Sequence, residues 1–291
     1  MRWCLFGDNL IGDQLMTTPA IRSRKLAHPE DEILYFFGSE KGTYVMMDGN
    51  PYLDKLEVID GINHDNSGDV EKVSAEYNAD RVVLMKPAIA FNYGVQNQTS
   101  LCEGFGSMLD VTIDSLKYDY YPKPEELEEG KRLVEEVGEG KPVVIIARHS
   151  ASCSSNDPRV GTANKCVSNK TWVQVADWLL REGFVPVAVG SKKELDDGRY
   201  SEWPGKKLYG YPLRTVAGIL KAAAGTLSVD TGIRHLAAAV GGNEYCISGA
   251  IPLGLIRCEA VIEGQRIHED HRPLPYVTTK LIVDGAKKIL M

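Results

Sequence analysis

The chain has 291 residues, 43% of them hydrophobic and 25% charged, with a formal net charge of −7. That length suits two domains of ordinary size, the balance is that of a soluble globular protein, and no apolar run approaches the roughly 20 residues that a membrane span needs. The acidic balance argues against a broad nucleic-acid surface, though not against a local basic groove, and six cysteines without a C-x-x-C pair give no sign of a zinc site or a dense disulfide framework. Asp8 and Asp13 interrupt any basic-then-apolar leader, so the expected location is the cytoplasm. Cys153 and Cys166 flank one polar loop and could pair or bind metal, but free thiols are the expectation in a reducing compartment.

Short apolar runs alternate with amphipathic stretches along the chain, the pattern of parallel sheets wrapped in helices. Strands are predicted at 3–6, 32–37, 55–59 and 81–85, with helices at 14–26, 41–48 and 70–77 between them. Residues 118–124 are aromatic and proline-bearing, 125–137 read as a charged helix, and 138–142 form another break. The domain boundary therefore falls within 121–141, giving an N-terminal domain over 1–130 and a C-terminal one over 131–291. Strands follow at 143–147, 185–189, 207–209, 227–230 and 244–248, and helices at 171–181, 213–223, 232–240 and 278–290. The last of these is expected to pack near the boundary. The fold class is α/β, with two Rossmann-like domains facing a central cleft. In such sheets ligands sit at the carboxyl ends of the strands.

The loop after the first strand runs Gly7-Asp8-Asn9-Leu10-Ile11-Gly12-Asp13 and leads into a helix. Asp13 is either a first-turn acid suited to the helix dipole or a general base facing the cleft, with Asp8 as the competing carboxylate and Gly12 beside it. Pro19 suits a first turn better than a helix interior, where proline costs roughly 3 kcal/mol, so the regular helix is expected to start there.

A second junction, Ser228-Val229-Asp230-Thr231-Gly232-Ile233-Arg234-His235, takes an apolar strand through a Thr-Gly turn into an Ala-rich helix. First-turn N–H groups without internal partners and the positive end of the helix dipole suit an anion just before Ile233. An ordinary capped helix needs the same residue types.

Ile11-Gly12-Asp13 followed by Thr17-Thr18-Pro19-Ala20-Ile21, then Asn50-Pro51-Tyr52-Leu53-Asp54, Lys170-Thr171-Trp172, Gly190 with Glu194, and Asp230-Thr231-Gly232 with His235-Leu236-Ala237 together resemble the ordered signature of glycosyltransferase family 9, the heptosyltransferase-like enzymes of lipopolysaccharide assembly. The resemblance spans nearly the whole chain. It implies a glycosyltransferase-B architecture, a nucleotide-sugar donor in the C-terminal domain and an acceptor on the N-terminal domain. It also implies inversion at the anomeric carbon with no metal and no cofactor beyond the donor as co-substrate. Carried over position by position, Asp13 is the catalytic carboxylate. Lys170, Thr231, Gly232 and His235 meet the donor diphosphate, and Glu194 accepts the ribose hydroxyls. Lys170 read alone is a solvated lysine before a helix, Glu194 a surface charge beside Lys192 and Lys193, His235 a packed histidine, and Trp172 core.

The chain also departs from that signature. A long polar segment, 148–169, carries Arg148, His149, Asp157, Arg159 and Lys165, and loops beyond about 12–15 residues are uncommon without a role. Residues 86–106 offer Asn92, Tyr93, Gln96 and Asn97 as a polar-aromatic face suited to sugars or bases. Asp8, Gly12, Asn92, Arg148 and His149 are thus candidate acceptor or loop contacts. Ser248-Gly249-Ala250-Ile251-Pro252 lacks the family's usual Gly-Pro-Thr loop. The leading expectation is a transferase acting on a cell-surface glycan or lipid-linked core, cytoplasmic or peripheral at the inner membrane surface. The alternatives are a glycosyltransferase of the same fold modifying a hydroxymethylated base in viral DNA, or a sugar-nucleotide binding protein without catalysis.

Overall fold

The computed structural model describes residues 1–7, 10–38, 43–60, 67–97, 99–148, 167–196, 202–248, 266–269 and 277–291. The chain divides between Tyr121 and Pro122 into two compact units.

In the first unit β1 (Arg2–Gly7), β2 (Glu32–Gly38), β3 (Lys55–Ile59) and β4 (Arg81–Met85) form a parallel sheet in the order β3-β2-β1-β4. Alternate side chains of β1 and β2, namely Cys4, Phe6, Leu34 and Phe36, pack on Val70 and Val73 of α2 (Ser67–Glu76). The helix α1 (Ile11–Ala27) follows β1 directly. It begins well before Pro19, so the expectation of a start at that proline is corrected. Pro19 has no N–H for the Leu15 carbonyl, and the Thr18 hydroxyl donates to that oxygen instead, at 2.7 Å. The same hydroxyl accepts from Asp119 N–H at 2.9 Å, which ties α1 to the segment leading out of the unit. Arg22 strengthens that tie through Asp114, Asp119 and the carbonyls of Ser115 and Lys117.

Two segments differ from the predicted pattern. Residues 43–46 form a single 3-10 turn, Thr43–Met46, where a helix over 41–48 was expected; Gln14 Nε2 donates to Thr43 Oγ1 at 2.7 Å and pins the turn to α1. The stretch 86–106 folds largely into two helices, α3 (Pro87–Asn97) and α4 (Leu101–Met108). Pro87 occupies the first helical position of α3, where a missing N–H costs nothing. Ser100 and Glu103 form a capping box at the start of α4.

The second unit opens with α5 (Pro124–Gly138) and β5 (Val143–Ala147). There follow α6 (Asn169–Arg181), β6 (Val185–Gly190), α7 (Lys192–Asp196), β7 (Lys206–Tyr209), α8 (Leu213–Ala222) and β8 (Gly225–Val229). The chain closes with α9 (Gly232–Ala239), β9 (Glu244–Ser248), β10 (Arg266–Glu269) and α10 (Thr279–Leu290). All six strands are parallel, in the order β10-β9-β8-β5-β6-β7. Neither α7 nor β10 is foreshadowed by hydrophobic periodicity. Trp172 and Trp178 of α6 pack with Val144, Ile146 and Leu227 of the sheet and with Ile282 and Ala286 of α10. The last helix lies against α6 and against β8, β9 and β10. Helices α5 and α8 cross at two glycines: a Cβ on Gly130 would stand 2.2 Å from the Gly218 carbonyl carbon.

Candidate functional site

Both sheets reverse their winding beside their first strand. In the first unit the chain runs outward from β1 to β2 and β3, then returns to the other side as β4; in the second it runs from β5 to β6 and β7, then returns as β8, β9 and β10. Beside the carboxyl ends of the two strands at such a reversal a crevice opens, because the connections leave in opposite directions. The gaps between β1 and β4, and between β5 and β8, are therefore the places where each unit can receive a ligand.

At the first gap Gly7 pairs with Met85, and α1 starts within a few residues. A Cβ on Gly7 would stand 2.3 Å from the Tyr35 ring, so the strand end needs glycine for this approach. Gly12 is buried in the first turn of α1, and Asp13 beside it is half-buried. Leu10 at the cap position supplies no side-chain hydrogen bond, so Asp13 is the acidic group facing the positive end of the helix. Asn92 is exposed on α3, between the partly exposed rings of Phe91 and Tyr93. Asp8 lies outside the described residues.

At the second gap Ala147 pairs with Ser228, which sets Arg148 beside the turn that follows β8. Arg148 is 1% exposed, and its guanidinium carbon stands 5.6 Å from the centre of the Trp203 ring. Thr231 caps α9: its hydroxyl accepts from Ile233 N–H at 3.0 Å, and its carbonyl accepts from Arg234 N–H at 3.1 Å. The Ile233 donor expected to meet an anion is thus already engaged, and the Thr231 O–H, the Gly232 N–H and the helix dipole are the groups left for that role. Lys170 is exposed in the first turn of α6, which holds no acidic residue. Since α6 returns from β5 to the parallel β6, its first turn lies at the carboxyl edge of the sheet. Glu194 lies in α7, directly after β6 at the same edge. His149, the segment 149–166 with Cys153 and Cys166, and the positions 249–252 lie outside the described residues. Trp172 is fully buried core.

Beneath the α9 turn lies a buried polar cluster that hydrophobic patterning does not flag. Ser228 Oγ donates to Glu244 Oε1 at 2.9 Å, and Glu244 Oε2 stands 4.0 Å from Arg234 Nε. Arg234 Nη1 meets His235 Nδ1 at 3.3 Å, and His235 Nε2 stands 3.7 Å from Asp230 Oδ1. Burial pushes the Glu244 carboxyl up to about 7, against the pull of Arg234 and of the Ser228 hydroxyl. The available signal was an arginine inside an Ala-rich helix and a glutamate opening an apolar strand. Among the described residues no group of three or more His, Cys, Asp or Glu side chains is placed to hold a metal ion, and no helix is long and apolar enough to cross a membrane.

No protein-family model matches the sequence, and no curated protein matches it. Solved structures do. A glycosyl transferase family 9 protein from Veillonella parvula superposes with a TM-score of 0.74 at 16% identity, covering 99% of this chain and 97% of its own. The ADP-heptose lipopolysaccharide heptosyltransferase II of E. coli gives 0.71 at 15% identity, over 100% of this chain and 98% of its own. The E. coli heptosyltransferase WaaC, solved with ADP, gives 0.68 at 15% identity, over 99% and 100%. The two parallel sheets and their helices thus have the fold of the glycosyltransferase family 9 and heptosyltransferase structures, the glycosyltransferase-B type.

Proposed function

We propose that this chain is an inverting glycosyltransferase that moves a sugar from a nucleoside-diphosphate donor to a hydroxyl on a cell-surface glycan or lipid-linked core. The observation that carries the reading is the placement of Asp13 and of the Thr231-Gly232 turn at the winding reversals of two sheets whose fold matches heptosyltransferases from end to end. WaaC was solved with ADP, which supports a nucleoside diphosphate as the donor's leaving group.

The second unit holds the donor, with the diphosphate at the Thr231-Gly232 turn and Lys170 supplying charge. Lys170 sits where the α6 dipole disfavours a cation, and a bound anion would relieve that conflict. Arg148, buried beside the same turn, is a second cation for the donor, and Glu194 at the next strand end suits the ribose hydroxyls. The first unit holds the acceptor. Asp13 takes the proton from the acceptor hydroxyl as its oxygen bonds to the anomeric carbon. The bond to the diphosphate oxygen breaks on the opposite face, and the leaving group departs with the electron pair. In this reading the positive groups at the turn stabilise that charge without a metal.

A thermal-shift series with ADP, UDP, GDP and CDP tests the reading. The matching diphosphate at 100 times its dissociation constant adds about 2.7 kcal/mol to native-state stability. No shift with any of the four at millimolar concentration would remove the donor site from the second unit.

A further inference from the structure

We propose that Arg234 is a positioning residue that holds the His235 imidazole neutral, with its single proton on Nε2, on the side of Asp230. The significance of this arrangement rests on the reading that the Asp230-Thr231-Gly232 turn receives a diphosphate. The tautomer itself does not.

The argument starts from hydrogen-bond chemistry. A guanidinium can only donate, so a ring nitrogen 3.3 Å from Arg234 Nη1 must offer a lone pair. His235 Nδ1 is therefore unprotonated, and in a neutral ring the proton must sit on Nε2. Nε2 stands 3.7 Å from Asp230 Oδ1, so the protonated nitrogen is the one nearer the carboxylate. Both ends of the ring agree on one tautomer.

Adjacent side chains on a helix do not ordinarily face each other. Arg234 and His235 meet because the guanidinium is held beneath the helix by Glu244, which opens β9 and is itself fixed by Ser228 of β8. Arg234 is 0% exposed and its neighbour Glu244 2%, so the guanidinium charge is not screened by water. Among the described residues, the groups facing this ring and its arginine include Ser228 and Asp230 at the end of β8, and Glu244 and Cys246 of β9. From α8, Arg214 pairs with Glu126 on α5 and Lys221 is exposed. A second proton on His235 would thus place a cation in contact with a buried guanidinium. A neutral ring keeps a hydrogen-bond donor at the turn without changing charge as an anion arrives.

The test is an imidazole ¹⁵N–¹H correlation spectrum of histidine-labelled protein, with His235 assigned by its loss in His235→Asn. At pH 7 the wild type is expected to give the neutral Nε2–H pattern, retained as the pH falls to 6. In Arg234→Met the pattern is lost toward the imidazolium over the same range. Where Arg234→Met fails to fold, Arg234→Gln keeps a donor without the charge; it retains Nε2–H at pH 8 and moves to the imidazolium on acidification. An Nδ1–H tautomer or an imidazolium in the wild type at pH 7 overturns the proposal, as does the same titration in the wild type and the folded variant. An absence of binding by ADP, UDP, GDP and CDP alike, together with the expected spectra, would instead strike the donor-site reading and leave the tautomer assignment standing.

Discussion

Arg24 Nε donates to Asp31 Oδ2 at 2.8 Å, and both side chains are almost wholly buried. Trp3 Nε1 and the Met1 ammonium donate to the same carboxylate, and the Arg24 guanidinium lies over the Trp3 ring. Burial alone would raise the Asp31 pKa; the hydrogen bonds from the ammonium and from Arg24 bring it down to about 2. Asp31→Asn leaves a buried guanidinium without its counter-charge, which typically costs about 3–5 kcal/mol. Urea unfolding at pH 7 measures that loss. Because the folded pKa is depressed, the stabilisation is complete above the ordinary carboxylate value and fades as the pH falls toward 2. Asp31→Asn should lack this acid limb.

Thr18 and Pro19 form a second linked pair. Thr18→Ala deprives the Leu15 carbonyl and the Asp119 N–H of their partner, at about 1–3 kcal/mol for each buried group left unsatisfied. Pro19→Ala restores the backbone donor to Leu15. A double-mutant cycle should therefore show Thr18→Ala costing less in the Pro19→Ala background. Simple additivity would mean that the hydroxyl does not replace the missing N–H.

Glu244 gives a pH dependence of opposite sign to that of Asp31. Its folded pKa is raised, to about 7, chiefly by burial, so its contribution is complete below the ordinary value near 4.5 and is lost as the pH rises through about 7. Glu244→Gln keeps an acceptor for the Ser228 hydroxyl and removes the titration. Between pH 5 and 8 the wild type should lose stability relative to this variant, in denaturation curves run at each pH. Parallel curves would show that Glu244 is ionised throughout.

Asp13→Asn should cut turnover by about 10²–10⁴-fold while the donor's dissociation constant stays nearly unchanged. It also removes the first-turn charge of a helix that has no side-chain cap, so a stability loss of about 0.3–1 kcal/mol should accompany it. Lys170→Ala should weaken diphosphate binding with little effect on stability, as its side chain is exposed. Asp8→Asn is the control: lost turnover there with full turnover in Asp13→Asn would move the base to Asp8.

Among the described residues nine of the ten strands were legible, most of them short apolar runs set between turn residues, and the pattern placed each of the nine within a residue or two of its bounds. Thr231 as the cap of α9 and Trp172 as core were legible for related reasons, since cap chemistry and bulk apolar surface are local properties. The Ser100-x-x-Glu103 capping box was present but masked by the apolar and aromatic residues around it, and α4 was missed. The Arg234–Glu244 pair was beyond reach of periodicity. It depends on α9 packing against β9, and a charged residue at a buried position looks like any surface charge until its partner is brought beside it. Pro19 misled because the rule against interior proline assumes that nothing replaces the lost hydrogen bond, and one hydroxyl did so.

Gly130 and Gly218 set a limit on how this chain can diverge. A side chain at either position would drive its first carbon into the opposing backbone: a Cβ on Gly218 would stand 2.4 Å from the Glu126 carbonyl oxygen. Overpacking of this kind typically costs about 1–3 kcal/mol, and main chain has no rotamer with which to yield. The two sites therefore form a diagnostic pair for distant homologues. A sequence with alanine or larger at both must seat its first post-boundary helix farther from α8, and coordinates transferred from this chain would misplace that helix in it.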